Sequence, residues 1–101
     1  MAITKQYLKS KPVCKVTFVV PAETVGGAKA VNVVGEFNNW DAAATALKKQ
    51  KDGTFKGTVE LTAGKEFQFR YLIDSIIWAN DVEADKFVFN GMADENSVLV
   101  L

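Results

Sequence analysis

Residues 66–73 read Glu-Phe-Gln-Phe-Arg-Tyr-Leu-Ile. Phe67, Phe69, Tyr71 and Ile73 occupy every second position, against Glu66, Gln68, Arg70 and Leu72. Successive side chains of a strand point to opposite faces, so this period-two pattern predicts a half-buried β-strand. Immediately upstream, Thr62-Ala63-Gly64-Lys65 is a turn by composition, and residues 54–61 alternate again, with Phe55, Gly57, Val59 and Leu61 on one face. Before them, Asp52-Gly53 separates this strand from residues 47–50, a strong hairpin signal because glycine supplies the positive φ such a turn needs.

The remainder of the chain repeats the pattern. Residues 15–20 alternate, are rich in β-branched side chains and end at Pro21. Residues 23–27 form a loop by composition, and residues 30–37 form a strand with Val31 and Val33 on one face and Val34 on the other. Residues 42–46 are alanine-rich, yet too short to hold a helix alone. Residues 80–85 read as an acidic loop, 86–89 as a short apolar stretch and 97–101 as a terminal strand. About seven short strands with almost no helix predict an all-β, immunoglobulin-like antiparallel β-sandwich spanning residues 13–101. Residues 1–12 read as an N-terminal extension in which no strict periodicity places Ile3, Tyr7 or Leu8.

Composition excludes whole classes of chemistry. The chain has 101 residues and no histidine, so imidazole acid–base catalysis and His-containing metal sites are absent from its repertoire. Its twelve carboxylates are mostly scattered among lysines, which reads as solvated surface and not as a glycosidase pair; no enzyme, cofactor or metal is expected. Twelve basic residues balance the acids, so nothing electrostatic calls for nucleic acid or an anionic membrane. Cys14, the single cysteine, lies in an apolar run and reads as a buried thiol. With no apolar run of about 18 residues and no leader pattern, the expected location is cytoplasmic.

Two tryptophans stand apart from the strands. Trp40 closes Gly-Glu-Phe-Asn-Asn-Trp-Asp (35–41), and Trp78 lies in Asp-Ser-Ile-Ile-Trp-Ala-Asn-Asp (74–81). Tryptophans among Asn, Asp and Ser sit where strands end, and there an indole face can meet the C–H face of a sugar ring.

These motifs carry a resemblance. The 35–41 segment, the Asp-Gly hairpin, Phe-Gln-Phe-Arg-Tyr-Leu-Ile-Asp (67–74), Trp-Ala-Asn-Asp (78–81) and Glu-Asn-Ser-Val-Leu-Val-Leu (95–101) together resemble the family-48 carbohydrate-binding module. That group includes the early-set domain at the N-terminus of isoamylase and the glycogen-binding domain of the AMP-activated protein kinase β subunit. The opening residues look like small stand-alone bacterial members. The resemblance implies a non-catalytic module that binds α-1,4-linked glucan: glycogen, starch or maltooligosaccharide. It implies that Trp40 and Trp78 are stacking platforms and that Arg70 stands where the family usually has a sugar-bonding lysine. It further implies that Asn96 is a sugar-bonding asparagine and that Met92 lies near the apolar residue threading the curved chain.

Each role has a structural alternative. Trp40 can pack a corner, Arg70 can pair with Glu60, Glu66 or Asp74, and Asn96 can form a turn. Asp74 itself reads as a turn residue.

Three segments depart from the family pattern. Asp74-Ser75-Ile76-Ile77-Trp78 replaces Asp-Gly and polar residues before the tryptophan; residues 42–46 are alanine-rich; and Phe87-Val88-Phe89 precedes Met92 where prolines and glycines are usual. Ile76, Ile77, Trp78, Phe89 and Met92 thus predict an apolar surface suited to a protein partner or a homodimer, reached by natural change or by engineering. The bland alternative is that Phe87 and Phe89, alternating with Val88, pack into the sandwich.

Overall fold

The alternating segments pair into two antiparallel sheets. The structure is a computed structural model; residues 2–89 and 95–101 are described. One sheet contains β1 (Ala2–Tyr7), β2 (Val13–Val20), β4 (Lys48–Lys49) and β5 (Phe55–Thr62), in the order β1-β2-β5-β4. The other contains β3 (Val31–Gly35), β6 (Glu66–Ile73), β8 (Lys86–Phe89) and β9 (Glu95–Val100), in the order β3-β6-β9-β8, with β7 (Ile77–Ala79) paired to β6. The expected all-β sandwich is therefore the fold.

Phe67, Phe69, Tyr71 and Ile73 face the other sheet, as their spacing demands. Phe18 of β2 meets Phe69 at 5.5 Å and Tyr71 edge-on at 6.2 Å between ring centroids, and Phe69 meets Tyr71 at 5.8 Å. Such tilted and edge-to-face contacts suit the aromatic quadrupole. Cys14 is buried in the same core.

The differences from the sequence reading have local causes. Residues 22–25 form one helical turn, Ala22–Val25, where composition suggested only loop; Gly26, with φ of 56°, ends it. The strand expected over 30–37 stops at Gly35, because Glu36–Asn38 winds into a 3₁₀ turn. Leu72, assigned to the polar face, and Val34 beside it are both buried although they face away from the core. Ala2–Tyr7, left unplaced by periodicity, adds an edge strand to β2.

That edge strand also clamps the two sheets together. Lys5 Nζ donates to Asp85 Oδ2 at 2.6 Å and to the Val100 carbonyl, while Val100 N–H donates to the same carboxylate oxygen. Burial alone raises the Asp85 pKa, but the Lys5 ammonium and the Val100 amide outweigh it and hold the carboxyl below its usual range. A lowered folded-state pKa adds stability that is present above the unfolded value, near pH ~4, and is lost as the pH falls through the folded value. Asp85→Asn is expected to flatten the acid limb of a stability-versus-pH curve, measured by urea unfolding between neutral pH and pH 3.

Candidate functional site

The corner after β3 is built to project Trp40. Asn38 anchors it: its Oδ1 accepts Gly35 N–H, and its Nδ2 donates to the Val33 carbonyl and to Thr45 Oγ1. Asn39 then turns left-handed with φ of 57°, and Trp40 follows at 58°. Trp40 N–H donates to the Gly35 carbonyl at 2.8 Å and Asn39 N–H to that of Glu36, the hydrogen-bond pattern of a Schellman ending. Asparagine tolerates this conformation, whereas a bulky residue there costs about 1–2 kcal/mol. The corner thus holds Trp40 at a positive φ and leaves its indole 41% exposed.

Trp78 is presented from a hairpin. Asp74 and Ser75 both have positive φ, 51° and 62°, and Ile76 N–H closes on the Ile73 carbonyl at 3.1 Å, as in a type I′ turn. Asp74 serves the turn from outside as well, its Oδ1 accepting the N–H groups of Lys29 and Ala30. Ser75→Gly is expected to stabilise the protein by about 0.5–1 kcal/mol, seen as a higher Tm with unchanged ligand affinity, because glycine adopts this φ without a Cβ penalty.

The two indoles flank one pocket on the outer face of the five-stranded sheet. Trp40, Arg70, Trp78 and Asn96 line one open pocket of about 280 Å³. Register explains the convergence: Arg70 lies opposite Val34 and Trp78 opposite Leu72, all on the face turned away from the core. Asn96 shares that face through its Nδ2, which donates to Gln68 Oε1 at 2.9 Å. Arg70 Nη2 donates to the Glu95 carbonyl at 2.7 Å, which fixes the guanidinium against β9. Among the described contacts, this anchor is a backbone carbonyl. Asn96 lies within β9 and not in a turn.

The pocket offers two apolar ring faces, a fork of N–H donors and a carboxamide. Among the described residues, none of the four lining side chains is a carboxylate. Among the described residues no group of three or more His, Cys, Asp or Glu is placed to hold a metal. Nor, among them, is any helix long and apolar enough to cross a membrane.

Sequence reasoning missed the layer beneath. Residues 80–85 read as a solvated acidic loop, yet Asp81 is fully buried. Its Oδ2 accepts the Tyr71 hydroxyl at 2.6 Å, its Oδ1 accepts Glu83 N–H, and its own N–H donates to Ser97 Oγ. Burial first, and then the Asp81 charge, push the Tyr71 phenol far above its ordinary pKa, so it stays a donor. The signal available was the Asn80-Asp81 pair that ends the strand after Trp78, beside Tyr71 on the adjacent strand β6, where Tyr71 lies opposite Ala79.

The residues proposed as an apolar interface divide between the two sides of the sheet. Ile77 pairs with Ile73 and so lies on the core-facing side, at the sheet edge, whereas Trp78 lies on the outer side. Phe87 and Phe89, opposite Ser97 and Glu95, also take the core-facing side, but neither is buried, and Phe89 is 68% exposed. Ile76 at the tip is 77% exposed. Met92 lies outside the described residues.

A family described as the glycogen recognition site of AMP-activated protein kinase matches residues 22–94, most of the chain and the whole span from Trp40 to Trp78. The chain belongs to this glycogen-recognition family. Members are carbohydrate-binding domains without catalytic machinery, which accords with a pocket of indoles, guanidinium and carboxamide. No curated protein matched the chain.

Proposed function

We propose that the chain is a non-catalytic module that binds α-1,4-linked glucan, as glycogen, starch or maltooligosaccharide. The observation that carries this reading is the convergence of Trp40, Trp78, Arg70 and Asn96, from four separate segments, on one open pocket. Glucose rings present C–H faces to indoles and a rim of hydroxyls to donors and acceptors, and α-1,4 linkage curves the chain so that neighbouring rings tilt towards two different platforms. An open pocket suits a stretch of polymer. Catalysis belongs elsewhere, and the lone buried thiol fits a reducing, cytoplasmic setting. Titration with maltoheptaose or β-cyclodextrin should change the tryptophan fluorescence in a saturable way. A flat titration at millimolar ligand overturns the proposal.

A second reading, self-association, is favoured by the exposure of Ile76, Ile77 and Phe89 at the edge of the five-stranded sheet. Because Ile77 and Phe89 lie on the opposite side of the sheet from Trp78, a dimer formed there need not cover the sugar pocket. Sedimentation equilibrium should then give a mass above 11.0 kDa, returning to the monomer value in Ile77→Glu. A wild-type monomer at high concentration removes this reading.

A further inference from the structure

Three of the four pocket residues share a structural dependency outside the pocket. On the edge of β6 away from β3, two ladders meet. β9 pairs with it from Glu66 to Phe69, and β7 pairs with it from Tyr71 to Ile73. Arg70 lies at the junction, where β9 leaves β6 and β7 ends. Two strands that diverge at one point leave backbone groups to be satisfied by something other than a ladder.

Asn80 does this with its side chain. Its Nδ2 donates to the Glu95 carbonyl at 2.8 Å, and its Oδ1 accepts Ser97 N–H at 3.0 Å. A carboxamide has the same donor and acceptor as a peptide unit, so Asn80 stands in for the strand that is not there. The two groups it holds belong to the residues on either side of Asn96. The Glu95 carbonyl it holds is also the anchor of Arg70 Nη2. Trp78 precedes it by two residues on a three-residue strand that, among the described residues, pairs with β6 alone, so Asn80 ties the end of that strand to β9.

We infer that Asn80 is a positioning residue for the sugar pocket, fixing Trp78, Arg70 and Asn96 relative to one another without lining the pocket itself. This rests on the glucan-binding reading for its effect on affinity, though not for its effect on the geometry of Trp78. Trp40, held by Asn38 and the Gly35 carbonyl, is independent of it. The pocket thus has a half set by the corner after β3 and a half set by one carboxamide.

The test uses the full chain labelled with 5-fluorotryptophan, whose two ¹⁹F resonances are assigned by single Trp→Phe variants. In ligand-free Asn80→Ala the Trp78 resonance should shift and broaden while that of Trp40 stays in place. Maltoheptaose affinity should fall on the order of tenfold or more. Ser97→Ala is the comparator. It removes the hydroxyl that bonds Asn80 Oδ1 and Asp81 N–H but leaves the two backbone contacts of Asn80, so it should lower Tm with affinity near wild type. Should Asn80→Ala fail to fold, Asn80→Asp serves, since it keeps the acceptor for Ser97 N–H and loses the donor to the Glu95 carbonyl. An unmoved Trp78 resonance, or equal displacement of both tryptophans, overturns the inference. Wild-type protein that binds no glucan removes the functional reading alone, and the ligand-free spectra still decide whether Asn80 positions Trp78.

Discussion

Trp40→Ala is expected to remove measurable binding of maltoheptaose, while the variant remains folded. Loss of a central aromatic platform typically costs 2 kcal/mol or more, on the order of thirtyfold in affinity. Isothermal titration against the wild type reads the loss, and affinity retained within threefold contradicts the assignment of Trp40 as a platform. A paired variant separates binding from strain. At φ of 58° alanine keeps the left-handed penalty and glycine escapes it, so Trp40→Gly should melt about 4–8 °C above Trp40→Ala, the equivalent of about 1 kcal/mol in a domain of this size. Both should be equally inert towards glucan. The tryptophan is then a residue retained at a backbone position that disfavours it, which is what a binding role explains and a packing role does not.

Gly35→Ala is the second large effect, and it acts on both stability and binding. A Cβ at this position would stand 2.5 Å from the Gln68 carbonyl oxygen and 2.8 Å from Phe69 Cβ, both fixed to β6. Its backbone φ of −166° is ordinary extended chain, so the constraint is space and not conformation. Relief requires β3 and β6 to part at the end that carries the Trp40 corner and, one residue on, Arg70. We expect a loss of about 2–3 kcal/mol, a fall in Tm of roughly 10–20 °C, and weakened glucan binding in the fraction that stays folded. Gly57→Ala is the control: the one close approach of its Cβ would be to the end of the Leu47 side chain, at 2.7 Å, with backbone no nearer than 3.6 Å, so a side-chain shift and not a strand separation is expected to relieve it. Equal destabilisation of the two variants contradicts the account.

The legibility of the molecule in its sequence follows from the range of the forces involved. Strands β5 and β6 were readable because alternation is a property of neighbours along the chain, and Asp52-Gly53 marks the β4–β5 hairpin locally: Gly53 has φ of 87° and Thr54 N–H bonds the Asp52 carboxylate. Trp40, Arg70, Trp78 and Asn96 were nameable from motif resemblance, and the fold brings these four to one pocket. Asp81 was misread because an acid in a polar run looks solvated until the tyrosine that receives it is in place. The apolar surface was drawn as one patch because adjacency in sequence conceals that Ile77 and Trp78 face opposite sides of the sheet.

Taken alone, the sequence determined the all-β architecture, the inward set of aromatic residues and the absence of histidine chemistry. Each is a matter of composition or of period two, which the pleated backbone enforces within a few residues. Tertiary structure alone decided that the outer face of the five-stranded sheet carries the pocket, that Trp40 is held in a left-handed corner, and that Asn80 bridges two diverging strands. The pocket and the Asn80 bridge depend on strand register and on hydrogen bonds between residues 15 or more positions apart, which no local pattern encodes, whereas the Trp40 corner closes through bonds between near neighbours whose geometry composition alone does not specify.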